Sequence, residues 1–198
     1  MDNSNGDLEG EPTPEELAMA QSGLPALALA WVGAVRRGDI DSVWLMTDPQ
    51  FRLGLAQMWI WHNRDAVDQD LHREGISRDE LAEQLVATDT PRHPLWVHCA
   101  RVSMRTISKA AGDLDGELAS GTRPRPVGPG LELIRLFPLD RMPADEHGNR
   151  IFPPGMSVEA LSLVMRLADD QWKVAGIGHH LLQPGWPPTF EEVATGSD

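Results

Sequence analysis

Apolar residues recur along the first half of the chain with the spacing of helices. Leu24, Leu27, Ala28, Trp31 and Val35 fall at i, i+3, i+4, i+7 and i+11, one stripe on a helix. Arg36 and Arg37 in its last turn suit the helix dipole, and Gly38 supplies a left-handed stop. Upstream, Thr13-Pro14-Glu15-Glu16 has the form of a capping box, and Ser22-Gly23 interrupts the pattern, so a short separate helix is expected there. Asp39-Ile40-Asp41 restarts the chain, with Val43, Trp44 and Met46 on a second short helix. Asp48-Pro49 opens another, running to about Arg64. Its apolar residues, Phe51 to Trp61, point nearly all round, as expected of a helix buried on several sides. Ser77-Arg78-Asp79-Glu80 is a further capping box, leading to Leu81 and Leu85.

Residues 95–111 fit two periods. As a helix, Trp96, Ala100, Met104 and Ile107 share a face and Gly112 ends it; as a strand, Trp96, His98, Ala100, Val102 and Met104 alternate with polar positions. The length favours the helix. Residues 112–130, rich in Gly, Pro and Asp, read as loop. Strands are expected at 131–137, 158–167 and 172–180, the last two joined by a turn at Asp169-Asp170. Residues 183–188 read as a surface segment, and Thr189-Phe190-Glu191-Glu192 as a last turn of helix. Helices first and antiparallel strands last give an α+β fold, with helices packed on one face of a curved antiparallel sheet.

Composition adds boundaries. The 198 residues suffice for one domain, expected over 13–190 between a disordered acidic tail, 1–12, and an acidic tail, 191–198. Of the net charge of −13, residues 1–16 contribute six acids and residues 191–198 three, unopposed by Lys or Arg. That balance argues against nucleic acid and leaves a basic protein as a possible partner for the tails. No apolar run nears the roughly 20 residues that cross a membrane, and the acidic start is no signal peptide, so no membrane partner and a cytoplasmic location are expected. The single cysteine, Cys99, reads as a small core residue.

Two stretches carry a family likeness. Trp31-Val32-Gly33-Ala34-Val35-Arg36-Arg37-Gly38-Asp39-Ile40-Asp41-Ser42-Val43-Trp44 resembles the opening helix, Gly-Asp turn and second helix of the NTF2-like (SnoaL-like) superfamily. Gln171-Trp172-Lys173-Val174-Ala175-Gly176-Ile177-Gly178 resembles its closing strand. The middle, 63–157, matches less well. The resemblance implies a cone of helices and curved sheet around a pocket, and a homodimer through the exposed face of the sheet. That fold hosts isomerases, dehydratases, cyclases, transport factors and binding modules, so it does not select a reaction. The family's ketosteroid-isomerase-type site needs tyrosine, and this chain has none.

The candidate chemistry is sparse. His179 and His180, expected at the end of the last strand, are the candidate acid–base pair, with strand-end surface histidines as the plain alternative. Asp48 is a candidate pocket carboxylate that its capping role already explains; Arg52 could hold an anion or pair with a neighbouring acid. Trp59 and Trp61 cannot share a helix face, so one could be core while the other lines a pocket or dimer interface, although most of the tryptophans are expected in the core. His98, beside Trp96, reads as a buried structural histidine or a pocket residue. No metal motif, phosphate loop or nucleophile elbow is present, and no cofactor is expected. Three functions stay open: a small-molecule-binding or assembly module without catalysis; a lyase, isomerase or hydrolase acting on an apolar metabolite in the cone; and an interaction subunit using its acidic tails.

Overall fold

A computed structural model describes residues 14–88, 92–112, 116–120, 124–148, 150–151 and 159–194, with side chains from residue 23 onward. The helices are α1 (Pro14–Arg37), α2 (Ile40–Met46), α3 (Pro49–His62), α4 (Arg64–Glu74), α5 (Arg78–Val86) and α6 (Trp96–Ala111). The strands are β1 (Leu118–Ser120), β2 (Arg125–Gly128), β3 (Leu131–Pro138), β4 (Leu161–Ala168), β5 (Gln171–Ile177), β6 (His180–Gln183) and β7 (Thr189–Glu192). They form one curved antiparallel sheet in the order β1-β3-β4-β5-β6-β7, with β2 also paired to β3. The α+β layout expected from the sequence is therefore the one observed.

Local signals set most helix ends. Asp39 caps α2 by accepting from the Ser42 amide, and Asp48 caps α3 by accepting from the amides of Gln50 and Phe51. The Ser77–Glu80 capping box closes in both directions at the start of α5. Residues 96–111 are helix, with Trp96, Cys99, Ala100, Ser103 and Ile107 buried along one face. Asp169 and Asp170 both have positive φ, the two-residue hairpin turn that joins β4 to β5.

Several expectations are corrected. Helix α1 runs unbroken through Ser22-Gly23. A helical glycine costs about 1 kcal/mol, while burying each of Leu24 and Trp31 in the core gains about 1.5–3 kcal/mol, so packing prevails. The expected helix from Pro49 to about Arg64 ends at His62, and Arg64 opens α4, which the sequence reading did not anticipate. The loop at 112–130 holds β1 and β2. The strand expected at 172–180 ends at Ile177; Gly178-His179 is a turn, with φ +71° at Gly178, and His180 begins β6. Residues 189–192 are a strand rather than a helical turn, and Val193 is buried behind it, so the sheet extends past residue 190. The Thr13 cap and the 1–12 tail lie outside the described residues.

Three apolar clusters organise the packing. The main one lies between α1, α2, α3, α6 and one face of the sheet and includes Trp31, Trp44, Phe51, Ile107, Leu136, Leu163 and Leu182. A second joins α3, α4, α5 and α6 through Trp59, Ile60, Leu71, Leu81 and Cys99. The third, around Leu133, Val164, Ala175, Leu181 and Val193, lies on the other face of the sheet. Trp31 Nε1 donates to Thr47 Oγ1 at 2.9 Å, and Thr47 donates on to the Val43 carbonyl, so the buried indole of α1 anchors the α2–α3 junction. No described helix is long and apolar enough to cross a membrane.

Candidate functional site

Where α3 and α6 cross the β5–β6–β7 end of the sheet, the main core is not filled. A cavity of about 180 Å³ remains there. Phe51, Leu55 and Met58 line it from α3, Ile107 and Ala110 from α6, and Ile177 and Leu182 from the sheet. Thr106, His180 and Phe190 complete its wall, and His180 is the one ionisable side chain among these lining residues. Thr106 already donates its hydroxyl to the Val102 carbonyl. Phe190 is 67% exposed and meets His180 edge to face, the ring centroids 6.5 Å apart, so this pair forms the solvent side of the cavity.

Two glycines make that geometry possible. A Cβ at Gly54 would lie 2.7 Å from Leu182 Cγ, so the glycine lets α3 lie directly on β6. A Cβ at Gly176 would lie 2.1 Å from the His180 carbonyl oxygen, so only glycine admits the close approach of β5 and β6 there. The register shift between Val164 and Met165, which sets Ala175 apart from the β4–β5 ladder, lies immediately before Gly176.

The two histidines part company. His180 borders the apolar cavity, whereas His179, half-buried in the hairpin turn, lines a different, polar hollow of about 250 Å³ with Glu159, Ser162 and Gly112. His179 Nδ1 is buried there without a hydrogen-bond partner. Glu159 is engaged by Arg141 at 2.8 Å.

The other sequence candidates lie elsewhere. Asp48 is 1% exposed; besides capping α3 it accepts from Arg166 Nη1 at 2.8 Å, and its own amide donates to the Val174 carbonyl. It is thus a structural link between α3 and the sheet. Arg52, one turn on, is half-buried with Nε and Nη1 unpartnered; burial pulls its pKa down and the Asp48 carboxylate opposes that shift. Trp59 belongs to the helical cluster, and the half-buried Trp61 carries the Arg64 guanidinium 5.5 Å from its ring centroid. His98 is exposed on α6, contrary to the buried reading. Two residues beyond Trp96 on a helix is a rotation of about 200°, so burying Trp96 turns His98 outward.

Sequence reasoning missed the lining residues Leu55, Met58, Ile107 and Leu182 as a set, because each reads as an ordinary core position. Cys99 is fully buried, 4.0 Å from Ser103 Oγ, and burial pushes its thiol up to about 12. It is a packing residue. Among the described residues, no three His, Cys, Asp or Glu side chains converge as a metal ligand set. Comparison with protein-family models, curated proteins and solved structures gives no match.

Proposed function

We propose that this chain is a small-molecule-binding module of NTF2-like type, and that its ligand is a compact apolar molecule held between α3, α6 and β6. The carrying observation is the cavity itself: apolar walls from three elements, a volume of about 180 Å³, and one polar edge at His180. An apolar cavity of about 150 Å³ accommodates a benzene-sized molecule, so the occupant is a small ring or a short branched chain. A homodimer through the second face of the sheet is the assembly that goes with this reading, and a basic partner for the acidic segments is the competing one.

The test is native mass spectrometry of freshly purified protein against its denatured mass. The expected spectrum carries a non-covalent adduct of low mass, and it reads the oligomeric state at once. A clean mass, together with no thermal shift from any benzene-sized apolar probe, would contradict the proposal.

An enzymatic reading has one specific support, the place of His180 at the edge of an apolar cavity, where an acid–base group would act on a bound apolar metabolite. His180→Ala separates the two readings. As a binding module the variant keeps its ligand within a few-fold; as an enzyme it keeps the ligand but loses turnover by about 100-fold or more.

A further inference from the structure

The cavity between α3, α6 and β6 is graded in polarity from floor to mouth. Phe51, Leu55, Ile107 and Leu182 form a buried floor, with Met58 and Ile177 half-buried beside it. Thr106, Ala110, His180 and Phe190 stand exposed at the mouth. An occupant that matches this gradient lays an apolar body on the floor and keeps one polar group at the mouth.

The polar side chains there restrict what that group can be. Thr106 Oγ1 spends its proton on the Val102 carbonyl at 3.2 Å, so its hydroxyl oxygen can only accept a further hydrogen bond. A ligand that uses it must donate. His180, when neutral, offers one ring nitrogen as donor and the other as acceptor.

A charge of either sign is poorly served. None of the lining residues is Lys, Arg, Asp or Glu. A carboxylate would meet only His180, which lies directly across from Glu192 in the β6–β7 register, both side chains on one face of the sheet. An ammonium would give up water without gaining a carboxylate from the cavity wall. A carbonyl or ether oxygen accepts but cannot donate to Thr106. A hydroxyl is the smallest neutral group that does both.

We infer that the ligand of this cavity is a compact apolar molecule bearing one uncharged hydroxyl, an alcohol or a phenol, which donates to Thr106 Oγ1 at the mouth beside His180. This rests on the binding reading proposed above; it adds the class of ligand and makes Thr106 a specificity-determining residue.

Phenol and toluene carry a hydroxyl and a methyl on the same ring, and NMR titration of the full chain at pH 7 compares them. In a site without a polar partner, stripping the hydroxyl of water leaves phenol weaker by about two- to thirty-fold. Here phenol is expected to bind at least as tightly as toluene, and benzoate and benzylamine at least ten-fold more weakly than phenol. Thr106 is exposed, so Thr106→Val should keep the wild-type melting temperature. It should weaken phenol five-fold or more, leave toluene within two-fold, and be rescued by Thr106→Ser. Phenol weaker than toluene in the wild type, or a phenol affinity unchanged in Thr106→Val, would overturn the hydroxyl assignment, with toluene binding leaving the binding module in place. Benzoate or benzylamine binding as tightly as phenol would overturn the neutral class. No saturable binding of phenol, toluene or benzene would remove the binding reading itself.

Discussion

Helix α6 separates two hollows that differ in almost every physical respect. Toward the sheet, Thr106, Ile107 and Ala110 border a cavity of about 180 Å³ with largely apolar walls, open to solvent past His180 and Phe190. Toward α1, Trp96, Arg101, Met104 and Arg105 border an open groove of about 700 Å³ with cationic banks. An apolar cavity gains affinity by removing apolar surface from water and discriminates by shape. An open groove with charged banks gains association rate and partner choice from complementary charge, and its contribution falls with salt. One amphipathic helix thus borders two hollows of different chemistry, and its buried face fixes its position. That face is Trp96, Cys99, Ala100, Ser103 and Ile107, and its apolar members are spread over two clusters.

The comparison can be broken from either side. The largest effect is expected from Leu182→Ala, which removes a buried wall of the cavity. It should cost about 3 kcal/mol in urea unfolding and widen the cavity, so that a larger apolar probe gives a thermal shift absent in the wild type. Removing Asp48 should come next. Asp48→Ala deletes the α3 cap and strands Arg166, at a cost of about 2–3 kcal/mol; Asp48→Asn should recover the cap portion. A loss under 0.5 kcal/mol would mean that the link between α3 and the sheet carries little.

Met58→Trp sharpens the contrast, because it fills the cavity from α3. A cost of about 1–2 kcal/mol is expected, with apolar probe binding abolished. Arg101→Glu with Arg105→Glu is the reciprocal change: stability within about 0.5 kcal/mol of wild type and probe binding in the cavity intact. If the double change weakened probe binding in the cavity, the two hollows would be one coupled site.

The smallest effects are chemical. Burial pushes the Cys99 thiol up to about 12, so it should resist disulfide reagents at pH 8 in the folded state and report each opening of α6 when it does react. Hydrogen bonds from Ser42 hold Asp39 below the usual carboxylate range, Arg78 does the same for Asp68, and Ser77 for Glu80. Each folded-state pKa lies below its unfolded value, so the stabilisation is complete above about pH 5 and is lost as pH falls through the folded value. Ser42→Ala should lower stability at neutral pH and flatten the acid limb of the stability curve.

What could be read from the chain was what is local. Asp48-Pro49, Ser77–Glu80, Gly38 and Asp169-Asp170 act through neighbouring backbone groups, and each lies at the boundary it signals. The α+β layering followed from the order of periods. Helix α4 left a weaker signal, Val67 and Leu71 one turn apart followed by the αL cap Gly75, within an otherwise charged stretch. The short strands β1, β2, β6 and β7 have three or four residues each, too few for a period, and depend on their partners in the sheet. The sites were the least legible. Arg36 and Arg105 are 69 positions apart and meet only because α1 and α6 pack together. The cavity is made of residues that look like core until the packing shows a gap. His180 was singled out for its chemistry and does border that gap, whereas Asp48, Trp59 and His98 do not.

The proposed function requires that the cavity between α3, α6 and β6 hold a ligand. The most direct measurement is a methyl NMR titration of the Ile-, Leu- and Met-labelled protein with benzene, in the wild type and in Met58→Trp. Saturable shifts confined to Leu55, Met58, Ile107, Ile177 and Leu182, absent from the filled variant for the residues it retains, are the predicted result. Shifts spread over the surface, or the same shifts in Met58→Trp, would contradict it.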